Sequence, residues 1–234
     1  MRIYVSNQSN VVSNTQLNQM ISAMNILLIN FCTDWGLSPI QIFQSFTRAG
    51  DIVPNNTIFI FNNSDSPGAL GYHFDQSGLA IGKVFARTIL NYGGSILYKD
   101  NTTFTVAQCL AHEAFEMICD NSANKWILDN NGTFWAYEVS DAVQNNLYVV
   151  TLPGGIKVGL SDYVLPSWFD ANAVSGPYNK MNTLTRPLTL DRGGYSIIIR
   201  NNRVSQVFGM GVTNEKKNDV LNDVSDIKKK FGLL

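Results

Sequence analysis

The run His112-Glu113-Ala114-Phe115-Glu116 sets one of the chain's two histidines beside two carboxylates, in a stretch otherwise made of apolar residues. An imidazole and a carboxylate four residues apart project from one face of a helix, so both can reach one cation. The pattern H-E-x-x-H does this with two histidines, which hold zinc while the intervening glutamate acts as a general base on water. Here Glu116 stands at the position of the second histidine. A carboxylate is a competent ligand. One imidazole with carboxylates makes a harder, more anionic site, open to Zn²⁺ and also to Mn²⁺ or Ca²⁺. The implied chemistry is metal-assisted hydrolysis, with His112 and Glu116 as ligands and Glu113 as the base. The competing reading of His112 is a core histidine bonded to a neighbour. Two glutamates on so apolar a helix are costly to bury unless paired or metal-bound, which favours the site.

A catalytic zinc takes three protein ligands and leaves one position for water, so another group must join. Asp120 shares the face of His112 and Glu116 but lies about 12 Å further along the helix axis from His112. It reaches the same ion only if the helix breaks near Cys119. Otherwise it is an end-of-helix carboxylate bonded to nearby backbone or to Lys125. Asp141 is a candidate ligand, or a partner that orients His112 through its other ring nitrogen. His73 belongs to a Gly-Tyr-His-Phe segment that reads as a loop, where an ordinary loop histidine and a site residue are both open. Tyr72 and Tyr195 carry phenols that could face a developing oxyanion, and nothing in the sequence separates them.

The elements that must position these groups are visible as periodicity. Arg2 to Ser6 alternates as a strand. Ser13 or Asn14 caps a helix whose apolar positions Leu17, Met20, Ile21, Met24, Leu27, Leu28 and Phe31 recur every three or four residues. Gly36 ends it, Ile40 to Phe43 and Asn56 to Phe61 read as strands, and Asp65 to Gly68 reads as a turn. Leu79 to Ala86 reads as a short strand interrupted by Gly82, as tolerated at an edge or where another segment comes close. Phe104, Val106, Leu110, Ala114, Met117 and Ile118 form the apolar stripe of the helix that carries the motif. Beyond it, Thr133 to Val139, Tyr148 to Val150 and Gly194 to Ile199 are strand-like, with Arg200 to Arg203 as a hairpin turn. The last stretch spaces Val220, Leu221, Val224, Ile227 and Phe231 as an amphipathic helix with lysines near its end. The expected organisation is residues 1–120 with the metal-site helix, a loop- and hairpin-rich part at 121–213 that completes the site, and a helical tail at 214–234.

The order strand, long helix, two strands, edge strand and H-E-x-x helix is similar to the zincin fold, especially its compact metzincin-like forms. Four segments carry a closer resemblance: Ala69 to His73, the H-E-x-x-E-x-x-x-D run from His112 to Asp120, Tyr137 to Val143, and Ser161 to Pro166. Together they resemble an uncharacterised zincin-like family of bacteria, bacteriophages and large viruses, over residues 55–200. The resemblance implies an α+β fold: a mixed twisted sheet with an antiparallel edge strand, a long backing helix and an active-site helix, then an irregular β-rich part. It implies a zinc-dependent peptidase acting on a peptide or protein. Some zincin peptidases take their third ligand from a glutamate about twenty residues past the helix motif, and Glu138 falls 22 residues after Glu116. The edge strand would pair with an extended substrate through Ile81, Gly82, Lys83 and Val84. The viral association implies an alternative, a virion-associated module with a structural ion or a degenerate site, whose tail docks an assembly partner.

Bulk properties bound these readings. A chain of 234 residues that is 45% hydrophobic supplies a real core, and 26 asparagines with only 15% charged residues fit a loop-rich surface. A net charge of −1 with thinly spread basic residues excludes a nucleic-acid binder. The longest apolar run, around Ile26 to Ile29, is far too short to span a bilayer. Met1 to Ser6 opens as a strand without the pattern of a signal peptide, so a cytoplasmic or virion location is expected. Cys32, Cys109 and Cys119 are odd in number, lack metal-type spacing and read as buried free thiols.

Overall fold

Strand β1 (Arg2–Asn7) buries Ile3 and Val5 on one face and pairs in parallel with β2 (Gln41–Ser45) on one side and β3 (Thr57–Phe61) on the other. The computed structural model describes residues 1–48 and 50–211, and the expected amphipathic tail at 214–234 lies outside them. Two further strands, β4 (Gly71–Gln76) and β5 (Leu79–Phe85), complete a sheet of order β2-β1-β3-β5-β4. Its first four strands run parallel, and β4 runs antiparallel to β5. The segment expected at the edge, with Ile81, Gly82, Lys83 and Val84, is therefore interior, because β5 pairs with β3 on one side and β4 on the other. The antiparallel edge is β4, from a segment that reads as a loop. Its inward side chain is a histidine and its flanking residues are aromatic, so the usual alternation of apolar and polar residues is disguised. Gly82 answers to close packing: a Cβ there would lie 2.9 Å from Ile58 Cγ1 and 3.3 Å from Met117 Cε.

Helix α1 (Asn14–Asp34) starts on a capping box, in which Ser13 Oγ accepts from the Gln16 N–H and Gln16 Oε1 accepts from the Ser13 N–H. Its buried stripe is the one the periodicity marks, from Leu17 to Phe31. A short helix α2 (Ala86–Asn91) follows β5 directly. Helix α3 (Val106–Cys119) carries the motif and is fixed at its start by Thr105, whose Oγ1 accepts from the Gln108 N–H and donates to the Gly159 carbonyl, both at 2.8 Å.

The second half of the chain folds back over α1 and α3. It comprises β6 (Trp126–Leu128), β7 (Phe134–Ala136), the hairpin β8 (Leu147–Leu152) and β9 (Ile156–Ser161), β10 (Tyr195–Arg200) and β11 (Arg203–Phe208). Strands β11-β10-β7-β6 form an antiparallel sheet. Asn201 and Asn202 close its last hairpin, both at positive φ, as a tight two-residue turn requires. One hydrophobic core joins the halves. The rings of Phe31 on α1 and Phe115 on α3 stack at 4.7 Å, and Tyr163 meets them edge-on at 4.7 and 5.3 Å. The Tyr163 hydroxyl donates to Asp34 Oδ2 at 2.7 Å, and Lys180 Nζ donates to the same oxygen. No described helix is long and apolar enough to cross a membrane. All three cysteines are buried free thiols.

Candidate metal centre

Two packed surfaces hold α3 and so aim its polar side chains. On one side Gln108 Nε2 donates to the carbonyls of Gln144 and Asn146, which ties the helix to the turn before β8. On the other, β4 approaches so closely that a Cβ on Gly71 would lie 2.6 Å from Cys109 Sγ and 2.9 Å from Glu113 Oε1. Between these surfaces His112, Glu113 and Glu116 bring one ligand atom each to within 4.8 Å of one another. His73, Glu116 and Glu138 form a second such group. Glu116 belongs to both.

The carboxylate of Glu116 faces two ways. Its Oε1 lies 3.1 Å from His112 Nε2 and accepts from the Ser140 N–H, while its Oε2 lies 3.8 Å from His73 Nδ1. Asp141, at the start of a 3-10 turn (Asp141–Val143), places Oδ1 at 3.2 Å from His112 Nε2. That oxygen is buried, and the imidazole edge lies beside it. Tyr195 reaches Asp141 from β10. The approach depends on Gly194, where a Cβ would collide with the Ala142 carbonyl at 2.1 Å. On the far side, Glu138 Oε2 lies 4.0 Å from His73 Nε2.

Some expected site residues converge here and others do not. His112, Glu113, Glu116, Glu138, Asp141 and His73 come together, with His73 delivered by strand β4 rather than by a loop. Glu138 shares a group with Glu116 and His73, and Asp141 Oδ1 is the carboxylate oxygen 3.2 Å from His112 Nε2. Asp120 follows the last residue of α3. Its Oδ2 accepts from the Lys125 N–H at 2.6 Å, and its carbonyl receives His73 Nε2 at 3.1 Å. Lys125 Nζ also bonds the Cys119 carbonyl, placing a cation at the negative end of the helix. Of the two tyrosines, Tyr195 is at the cluster. Tyr72 points to the opposite face of the sheet, as the strand period requires, where it bonds Asp65 and Lys83. Lys83 belongs to that outer pair as well, at 2.6 Å from Asp65 Oδ2.

Burial makes the cluster electrostatically unbalanced. His73, Glu113, Glu116, Glu138 and Asp141 are each between 2 and 9% exposed. Among the described residues no lysine or arginine ion-pairs with Glu113, Glu116 or Asp141. Desolvation lowers the pKa of His112, but the charge of Glu116 and the contact with Asp141 outweigh it and hold the imidazole well above its ordinary range. Desolvation raises the pKa of Glu116, and the charges of Asp141 and Glu113 add to the rise against the pull of His112. Desolvation and the charge of Asp141 also raise the phenol of Tyr195. Protons are thus drawn into a cluster whose groups could hold a cation. Comparison with protein-family models, curated proteins and solved structures finds no match.

Proposed function

We propose that this protein is a zincin-like, metal-dependent hydrolase that cleaves peptide bonds, with its ion held by His112, Glu116 and Asp141. The observation that carries this reading is the spacing around His112 Nε2, which lies 3.1 Å from Glu116 Oε1 and 3.2 Å from Asp141 Oδ1. Ligand atoms about 2.1 Å from a tetrahedral ion stand about 3.4 Å apart, close to both of these distances from His112. Asp141 serves in this reading as the third ligand of the His112 side. A bound divalent ion supplies a Lewis acid that polarises a carbonyl and makes water a better nucleophile.

The protein's own groups supply the rest. Glu113, one residue from the ligand His112 and packed against Gly71 and His73, accepts the proton of the attacking water and returns it to the leaving amine. Tyr195, its phenol kept protonated by burial and by Asp141, donates to the developing oxyanion. Strand β4 is the sheet edge that carries His73 into the cluster, and its free side offers main-chain groups to an extended peptide. The deciding experiment compares cleavage of a peptide library by the metal-loaded wild type and by Glu113→Gln. Cleavage lost in the variant, with metal content unchanged, is the expected outcome. Equal cleavage by both removes Glu113 as the base, and a metal-loaded wild type that cleaves nothing makes the protein a non-catalytic module, the virion or assembly alternative.

A further inference from the structure

The His112 side of the cluster leaves His73 and Glu138 unused, yet both are buried against the same Glu116 carboxylate. The hydrogen positions on His73 follow from its partners. A carbonyl oxygen only accepts, so the ring nitrogen that meets the Asp120 carbonyl at 3.1 Å, Nε2, carries the hydrogen. That leaves Nδ1 facing Glu113 Oε2 at 3.4 Å and Glu116 Oε2 at 3.8 Å, with Glu138 Oε2 4.0 Å from Nε2 on the other side of the ring. Ionised carboxylates only accept, so Nδ1 beside them meets a group that bears positive charge, a proton or a cation. Imidazoles that ligate metals are held in this way, with the remote N–H given to a backbone carbonyl.

The geometry of the cluster fits a metal ion at that point. Four buried carboxylates, from Glu113, Glu116, Glu138 and Asp141, surround two imidazoles. Ligand atoms of His73, Glu116 and Glu138 already lie within 4.8 Å of one another. The two oxygens of Glu116 point to different imidazoles, Oε1 to His112 and Oε2 to His73, which is the disposition of a bridging carboxylate. Sites with two bridged ions about 3.5–4 Å apart recur among hydrolases, where the pair clamps both attacking and leaving atoms.

We infer that a second divalent cation binds between His73, Glu116 and Glu138, so that Glu116 bridges a two-metal centre. Nitrogen and carboxylate ligands together suit Zn²⁺ or Mn²⁺. The inference rests on the reading above, because the two sites share Glu116. The test strips the full chain with a chelator, restores Mn²⁺ or Zn²⁺, and counts bound ions by elemental analysis and native mass spectrometry. Electron paramagnetic resonance of the Mn²⁺ form reports whether two ions are coupled. Two equivalents in the wild type with a coupled signal are expected. His73→Gln and Glu138→Gln should each fall to one equivalent and lose the coupling. One equivalent in the wild type, kept in Glu138→Gln and lost in His112→Ala, overturns the second site and leaves the first intact. No bound metal in any form overturns both. The wild-type count and Glu138→Gln decide the matter even where His73→Gln fails to fold.

Discussion

At the residue scale, chemistry rests on which carboxylates are ligands and which one is the base. Glu113 and Glu116 are equally buried, yet Glu116 Oε1 lies 3.1 Å from His112 Nε2, whereas Glu113 Oε2 faces His73. The proposed division of labour, with Glu116 as ligand and Glu113 as base, follows that difference. Replacing Glu113 by glutamine keeps the shape and removes the proton acceptor, so the turnover rate should fall about 10²- to 10⁴-fold while metal content is unchanged. His112, Glu113 and Glu116 were legible because helical spacing converts sequence distance into spatial distance. Asp141 and His73 were open questions for the opposite reason. One arrives on a 3-10 turn and the other on an edge strand, and no local period links either to α3.

At the element scale, the site depends on how closely β4 approaches α3. Gly71 is the point of contact, since a Cβ there would meet Cys109 Sγ at 2.6 Å, Glu113 Oε1 at 2.9 Å and the Lys83 carbonyl at 3.0 Å. Gly71→Ala should cost about 1–3 kcal/mol of stability by overpacking, and it should impair hydrolysis beyond that loss by displacing Glu113. Denaturant midpoints and peptide cleavage measured on the same preparation check both parts. An alanine variant with wild-type midpoint and activity would show that the two elements are not in tight register. The long helix α1 and helix α3 were readable from periodicity and caps. Strand β4 was not, because its inward residue is a polar group held by the cluster and not an apolar core residue. The misplacement of the edge onto β5 follows from that. With β4 taken as loop, the next strand becomes outermost.

At the scale of the whole molecule, the buried cluster couples stability to protons. His112 and Glu116 both bind protons more tightly in the folded chain than their ordinary values of 6.5 and 4.5 imply. A group with a raised folded pKa adds stability at pH below its unfolded value and loses it as pH rises through the folded value. The melting temperature of the chelator-treated protein should therefore fall as pH is raised through and above neutrality. The metal-loaded protein should hold its melting temperature over the same range, because the ion replaces the protons. An apo protein that gains stability on going to higher pH would contradict the electrostatics described here. The α+β class was legible from the alternation of periods along the chain. The contact of Tyr163 with Phe31 and Asp34 was not, because it spans more than a hundred residues that no local pattern connects.

The central claim is that α3 and the turn at Asp141 hold a metal ion between them. Diffraction from crystals of the zinc-supplemented protein, recorded on both sides of the zinc absorption edge, tests it most directly. An anomalous peak is expected about 2.0–2.2 Å from His112 Nε2 and from carboxylate oxygens of Glu116 and Asp141. A well-ordered site with those side chains in place and no anomalous density among them would contradict the account.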